Sequence, residues 1–352
     1  MYLQDLNPDP ILARHAAFWH REIIDRVCIA VTAPGKGPYV PVPGARDDAQ
    51  LLTDPQYAID ASLARLQNQY LAGDALPITY APGNLLYPAM GGAGSMGSAT
   101  VWVDPTIHDW QEWADYRCDI TNPWAQSFLR VNKALAEASA QRYLVATQGF
   151  FGATDAMALI RGYEDFLLEF AIEEAGETLR GAQQRAIDAH LAIIKQAWDD
   201  VRPYQRGTVT CPGIWAPGDI NYWSADFSCL IGPRDFETWV IPEFEQQIAL
   251  CEYSFYHLDG PDAVRHLPRI AALPGLHGIQ FTPGIAIDDN PRHWLPVVQK
   301  IQSLGMATYV NIAPQYLELI MRELDPHGLF IFTWAPDPES ADALVRQAAE
   351  WG

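Results

Sequence analysis

The sequence predicts a single α/β domain, a (β/α)8 barrel of the TIM type, with an N-terminal cap over residues 1–120 and the barrel core over residues 121–352. The chain has 352 residues and an ordinary globular composition, enough for one large core. From Tyr143 onward, short β-rich runs alternate with longer helical stretches, which is typical of a parallel sheet. Within those runs polar and apolar side chains alternate, as expected when one face of each strand lines a barrel.

The N-terminal segment begins with a predicted helix over residues 15–24 and a predicted strand over residues 27–31. A loop rich in proline and glycine follows. Further helices are predicted over residues 55–72 and 123–140; the first has a proline at its start and a glycine just past its end.

Residues 92–97 read Gly-Ala-Gly-Ser-Met-Gly and match the spacing GxGxxG. A dinucleotide-binding loop needs a strand before this motif and a helix directly after it. Here a loop precedes the motif, and residues 100–103 form a strand-like run. The favoured interpretation is therefore a glycine-rich loop over a pocket.

The rest of the chain supplies strands and helices in alternation. Predicted strands cover residues 143–148, 207–211, 251–258, 276–282, 306–312 and 329–334. Predicted helices cover residues 153–172, 174–200, 233–250, 261–272, 291–303, 314–324 and 338–350. Together with the earlier strands, about eight are available, which allows closure into a barrel.

Composition narrows the classes of partner. The formal net charge is −20 without a basic cluster, so nucleic acid, anionic membranes and polyanionic substrates are not expected. The five cysteines are scattered without a CxxC pair, which predicts reduced thiols in a cytoplasmic protein. We also see no apolar leader and no run long enough to span a bilayer. A small molecule is the expected substrate.

The strand over residues 251–258 carries the strongest candidates for chemistry. His257 and Asp259 lie two residues apart, so their side chains share one face at the carboxyl end of the strand. Active sites of β/α barrels lie at that end. Asp226 supplies a second carboxylate from a neighbouring loop. The predicted catalytic residues are Asp259, His257 and Asp226; the alternatives are a structural His–Asp hydrogen bond and helix capping by the carboxylates.

Further polar and aromatic side chains are expected at the same end. Burying an unpaired amide costs about 1–3 kcal/mol, so several of them converging there favours a ligand site. Aromatic side chains from a Pro/Gly-rich segment, residues 210–222, would stack over its mouth. The predicted substrate-binding residues are Gln148, Trp215, Tyr222, Gln280, Asn311 and Trp334.

A metal could also be held here, since a His-x-Asp strand offers ligands in His257 and Asp259. No thiolate stands at an obvious third position, so a tight zinc site is not expected. Whether a divalent metal binds stays open.

Three stretches resemble a known family. Residues 231–242, Ile-Gly-Pro-Arg-Asp-Phe-Glu-Thr-Trp-Val-Ile-Pro, are similar to a helix entry with the pattern S-P-E-x-F-x-E-F-x-L-P. The strand of His257 is similar to a His-x-Cys strand, and residues 336–338, Pro-Asp-Pro, are similar to a C-terminal Pro-x-x-Pro turn. These patterns belong to the uroporphyrinogen decarboxylase-like superfamily, which includes cobalamin-linked methyltransferases. The resemblance is strongest over residues 143–350.

The resemblance implies methyl transfer or demethylation of a small molecule, with a separate corrinoid protein as a partner that takes the methyl group. The methyltransferase branch binds zinc through His-x-Cys and a cysteine that ends the last strand. Here Asp259 and the pair Thr333-Trp334 stand at the cysteine positions, so both thiolates are missing. The N-terminal Arg-Gln-Ala-Gly loop of the decarboxylase branch is also missing, so a porphyrinogen substrate is not expected.

Two other functions stay open at this point. A hydrolase or lyase could act on a sugar-like neutral ligand, with Asp226 and Asp259 as a carboxylate pair and with Trp215, Tyr222 and Trp334 as stacking surfaces. Carboxyl groups more than about 12 Å apart, beyond the range of known glycosidases, would exclude it. The third function is a non-catalytic module that binds a corrinoid or small ligand.

Overall fold

The computed structural model describes residues 1–97, 100–146, 152–284 and 290–350. Strands in chain order are β1 (Cys28–Pro34), β2 (Gln69–Gly73), β3 (Ile78–Tyr80), β4 (Ala93–Gly97), β5 (Thr100–Asp104), β6 (Leu144–Ala146), β7 (Thr208–Val209), β8 (Trp215–Ala216), β9 (Ile220–Ser224), β10 (Tyr253–Asp259), β11 (Gly278–Thr282), β12 (Ala307–Asn311) and β13 (Leu329–Trp334).

The strands are interleaved with helices of very unequal length. In chain order these are α1 (Pro8–Trp19), α2 (Asp48–Thr53), α3 (Pro55–Gln67), α4 (Leu86–Ala89), α5 (Pro123–Ser139), α6 (Ala153–Arg161), α7 (Tyr163–Glu169), α8 (Ala175–Val201), α9 (Pro233–Asp235), α10 (Ile241–Ala249), α11 (Leu267–Ala271), α12 (Leu295–Ser303), α13 (Leu317–Glu323) and α14 (Pro338–Ala349). Within the described ranges, none of the helices is long and apolar enough to cross a membrane.

A sheet of seven strands organises the fold, in the order β2-β1-β13-β12-β11-β10-β9. Neighbouring strands in it are parallel, except that β2 runs antiparallel to β1. A smaller sheet pairs β3 with β6 in parallel, and β7 pairs with β8 in antiparallel fashion. The prediction of an α/β fold around a mostly parallel sheet is confirmed. β1 comes from the segment expected to form the cap, and it pairs directly with β13.

Alternation along the strands assigns side chains to two faces of the sheet, and the polar side chains of the candidate site lie on one of them. Ile279 and Phe281 of β11 and Val310 of β12 are buried in the main apolar core together with residues of the outer helices. Gln280, between the two β11 residues, stands in register with His257 on β10, so both side chains project from the opposite face. The apolar core therefore fixes which side chains can meet on the opposite face.

Several predicted elements differ from the structure. Residues 220–224, expected to be irregular, form the edge strand β9. The helix expected over residues 153–172 is divided at Gly162, whose φ of +89° is one that L side chains rarely adopt. A π-helical segment, Phe236–Val240, interrupts the helix expected over residues 233–250. The GxGxxG stretch is not a loop: it lies in β4, which pairs with β5 in an antiparallel hairpin.

His190 on α8 is fully buried in a polar network behind the sheet. Gln247 Nε2 donates a hydrogen bond to His190 Nδ1 at 3.1 Å, and Asn221 Nδ2 donates to Gln247 Oε1 at 2.7 Å. Burial lowers the pKa of His190 to about 4, because the charged imidazolium would lose its hydration.

The stability of the protein is expected to fall between pH 6.5 and pH 4 through His190. In that window the unfolded chain binds a proton at this histidine and the folded chain does not, so lowering the pH favours unfolding. The expected loss relative to neutral pH is about 2 kcal/mol at pH 5. Urea unfolding across this range measures it, and His190→Gln should remove this component. Identical pH dependence in the two proteins would contradict the prediction.

Candidate functional site

Asp226, His257 and Asp259 meet at the carboxyl ends of β9 and β10. One potential ligand atom of each side chain lies within 4.8 Å of the others. Asp226 is exposed, and His257 and Asp259 are half-buried. We call this group the triad. It comprises the three residues whose types and positions indicated catalysis in the sequence.

The backbone around β10 explains the position of Asp259. Leu258 is completely buried on the opposite face, which turns both of its neighbours toward the triad. β10 ends at Gly260, whose φ of +77° redirects the chain, and Pro261 then starts a 3-10 helix. Gly260 is the N-cap residue of that helix, and no side chain makes a capping hydrogen bond there. Helix capping therefore does not account for Asp259.

Asp226 is held in place by a residue that the sequence reasoning missed. Asp155 on α6 is 2% exposed, and its two carboxylate oxygens accept hydrogen bonds from the backbone N–H groups of Asp226 and Phe227, both at 3.0 Å. These bonds fix the 3-10 turn that begins at Asp226. The available signal was an acidic residue among the small apolar residues that open α6, Ala-Thr-Asp-Ala-Met-Ala.

Two of the predicted substrate-binding residues, Tyr222 and Gln280, contact His257. Nδ1 of His257 is hydrogen-bonded to Gln280 Oε1, and the hydroxyl of Tyr222 lies 3.1 Å from the same nitrogen. Tyr222 also donates to Gln280 Oε1 at 2.9 Å, and Gln280 Nε2 donates to Thr282 Oγ1 at 2.8 Å. Since a carbonyl oxygen only accepts, Nδ1 carries the proton and Nε2 carries the lone pair. His257 would therefore bind a metal through Nε2.

The surroundings of Asp226 disfavour its ionisation. Desolvation raises the pKa of Asp226 although the residue as a whole is exposed, and the charge of Asp259 acts in the same direction. A hydrogen bond with Ser224 and the nearby His257 act in the opposite direction. Burial, reinforced by the charge of Asp226, raises the pKa of Asp155 well above its usual range. A bound cation would relieve this accumulation of negative charge.

The other predicted binding residues lie in different surroundings. Asn311 and Trp334 are exposed at the carboxyl ends of β12 and β13, and Trp334 is 52% exposed. Trp215 is buried: its carbonyl accepts a hydrogen bond from Trp19 of α1 at 2.8 Å, and its own Nε1 donates to Arg206 O at 2.6 Å. These contacts place Trp215 against the N-terminal helix. Gln148 lies outside the described residues.

The donor set of the triad suits a divalent cation with mixed oxygen and nitrogen ligands. One imidazole nitrogen and carboxylate oxygens are ligands that zinc and manganese accept, whereas magnesium and calcium prefer oxygen alone. Within the described ranges no cysteine belongs to the group. Cys229 is near enough for the charges of the triad carboxylates to add to desolvation in raising the pKa of its thiol. The set therefore does not reproduce the thiolate zinc site that the resemblance implies.

Comparison with known proteins does not assign this chain to a family, so the triad and its surroundings have to support any functional inference. The resemblance to the uroporphyrinogen decarboxylase-like superfamily stays a prediction. A scan against models of protein families found no match, and a search of curated proteins found no significant relative.

Proposed function

We propose that this protein is an enzyme that acts on a small molecule and uses a divalent cation bound by Asp226, His257 and Asp259. The convergence of the three ligand atoms within 4.8 Å supports the proposal most directly. Close carboxylates without a cation repel each other, and an oriented imidazole beside them completes a set of donors. The position of the triad at the carboxyl ends of parallel strands also agrees with where β/α enzymes hold their sites.

The proposal includes two predictions from the sequence: closure of the sheet into a (β/α)8 barrel and membership of the uroporphyrinogen decarboxylase-like superfamily. Closure into a (β/α)8 barrel would use β3 and β6 as the strands between β1 and β9, and these strands are already parallel to each other. Together with β1 and with β9 to β13 they give the eight strands of such a barrel. In the uroporphyrinogen decarboxylase-like superfamily this arrangement would serve methyl transfer or demethylation, with a corrinoid protein as the proposed partner.

The protein residues have separable roles in this proposal. Gln280 and Tyr222 hold the His257 ring so that Nε2 faces the cation, and Asp155 fixes the turn that carries Asp226. When bound, the cation would act as a Lewis acid on a substrate oxygen or sulfur. Asp259, at the end of β10, would supply a carboxylate whose negative charge offsets that of the cation.

A second function is supported by the separation of the carboxylates. Oxygen atoms of Asp226 and Asp259 lie within 4.8 Å of one another, well inside the limit of about 12 Å set for a glycosidase. Retaining glycosidases hold their carboxyl groups about 5–5.5 Å apart. A hydrolase or lyase acting on a sugar-like ligand therefore remains the alternative proposal.

Calorimetric titration of chelator-treated protein with Zn²⁺ and Mn²⁺ tests the metal proposal. We expect one cation per chain. We expect His257→Gln to weaken binding by at least about 100-fold, because loss of a residue that only supports a ligand already costs about 10- to 100-fold. His327→Gln is the matched control, because His327 is exposed and its imidazole is hydrogen-bonded to Asp325, far from the triad in sequence. Absence of cation binding, with glycoside hydrolysis that requires Asp226, would favour the alternative.

A further inference from the structure

A cavity of about 820 Å³ lies between the N-terminal helices and the face of the sheet that carries Tyr309 and Phe332. Its walls come from α2, α3, β1, β2, β3 and the turn between β7 and β8, with Tyr309 and Phe332 contributed by the last two strands. Cavities of a few hundred to a thousand cubic ångströms are typical of small-molecule sites. Neither the triad nor the residues that hold it line this space.

The charge of the cavity wall is opposite to that of the protein. The chain carries 43 acidic and 23 basic residues, yet no described residue lining the cavity is acidic. Arg65, on α3, is the one basic residue among them. Its guanidinium forms no ion pair or hydrogen bond with another described residue. Most of the remaining wall is apolar, including Leu52, Leu66 and Phe332.

The strand side of the cavity offers a polar group. Tyr309 is 8% exposed and lines the cavity. A tyrosine hydroxyl can both donate and accept a hydrogen bond, so it can pair with a polar atom of a ligand. Tyr309 stands in register with Gln280 on the adjacent strand, and Gln280 holds His257. The cavity therefore ends beside the supports of the triad.

We propose that this cavity binds a small, largely apolar or aromatic molecule that carries one acidic group. The apolar wall would cover the hydrocarbon part, Arg65 would pair with the anion, and the far end of the ligand would reach Tyr309. The identification of this ligand as the substrate rests on the proposed function. Its binding in the cavity is independent of that function. A ligand with a single negative charge also agrees with the negative net charge of the protein, which disfavours ligands with several negative charges.

Two fluorescent probes with the same ring system test the proposal: anilinonaphthalene sulfonate, which is anionic, and phenylnaphthylamine, which lacks the sulfonate. Chelator-treated protein is titrated with each, so that metal binding by the triad has no part in the result. We expect both probes to bind, the sulfonate more tightly. Arg65→Gln should lower the affinity for anilinonaphthalene sulfonate about 5-fold, because an exposed charge pair contributes up to about 1 kcal/mol. The affinity for phenylnaphthylamine should change by less than about 2-fold.

Variants with a larger side chain in the cavity wall test whether the probes bind inside the cavity. Ala58 is half-buried on α3 and lines the cavity, so Ala58→Trp should lower the affinity of both probes at least about 10-fold by occupying their volume. Urea unfolding confirms that this variant is folded, and Leu51→Trp serves in its place if it is not. Arg46→Gln, an exposed arginine paired with Asp47, is the charge control and should change neither affinity. Unchanged binding in folded filling variants, or equal effects of Arg65→Gln and Arg46→Gln, would overturn the proposal.

Discussion

Replacing Asp74 with asparagine is expected to lower the free energy of unfolding by about 3–5 kcal/mol. Asp74 is completely buried, and its carboxylate pairs with Arg26 Nη1 at 2.5 Å and with Arg14 Nε at 2.6 Å. It also accepts a hydrogen bond from the backbone N–H of Ile29 at 2.9 Å. Asparagine keeps the shape of the side chain but removes the charge. Arg26 then loses its counter-ion, and Arg14 keeps only its pair with the exposed Asp25, at 3.1 Å.

Urea unfolding at neutral pH measures this loss, and Asp9→Asn is the matched control. Asp9 also pairs with an arginine, Arg206, at 2.9 Å, but both side chains are more than 70% exposed. Exposed pairs contribute about 0–1 kcal/mol, so the control should be nearly neutral. Similar losses of unfolding free energy in the two variants would show that the buried ion pairs of Asp74 stabilise the protein no more than the exposed pair of Asp9. A large difference would establish that Asp74 joins α1, β1 and the turn after β2.

The sequence predicted the second half of the sheet well because local pattern and tertiary environment agree there. The run over residues 329–334 coincides with β13, and the runs that predicted β11 and β12 extend only slightly past the observed strands. Strands buried on a face covered by helices must keep apolar residues at alternate positions. That requirement also made the shared face of His257 and Asp259 predictable.

Other features depend on contacts that no local pattern records. β9 was missed because it follows a segment rich in proline and glycine, although the residues Ile-Asn-Tyr-Trp-Ser themselves suit a strand. Asp155 supports Asp226 across 71 residues of chain. The cavity near Arg65 is assembled from segments scattered between residues 30 and 332. Each of these requires the folded arrangement of helices around the sheet, which periodicity alone does not specify.

Replacing Asp259 with asparagine should lower cation affinity by at least about 100-fold, the upper end of what the loss of a metal-supporting residue costs. The substitution removes one negative charge from the triad and keeps the size of the side chain. Asp259 makes no capping contact and is only half-buried, so the free energy of unfolding should change by less than about 0.5 kcal/mol. Calorimetric titration with Zn²⁺ and urea unfolding on the same preparations separate the two effects.

Asp262→Asn is the control that distinguishes a triad ligand from general negative charge. Asp262 lies three residues further along the same segment, its side chain is 76% exposed, and it pairs with Arg265 at 3.4 Å. Both variants change the net charge equally, so long-range electrostatics predicts similar small losses of affinity. Coordination by the triad predicts a large loss for Asp259 alone. An Asp259→Asn protein that still binds the cation as tightly as the control would remove Asp259 from the ligand set, and the metal proposal would fail with it, because His257 and Asp226 alone do not hold a divalent ion tightly.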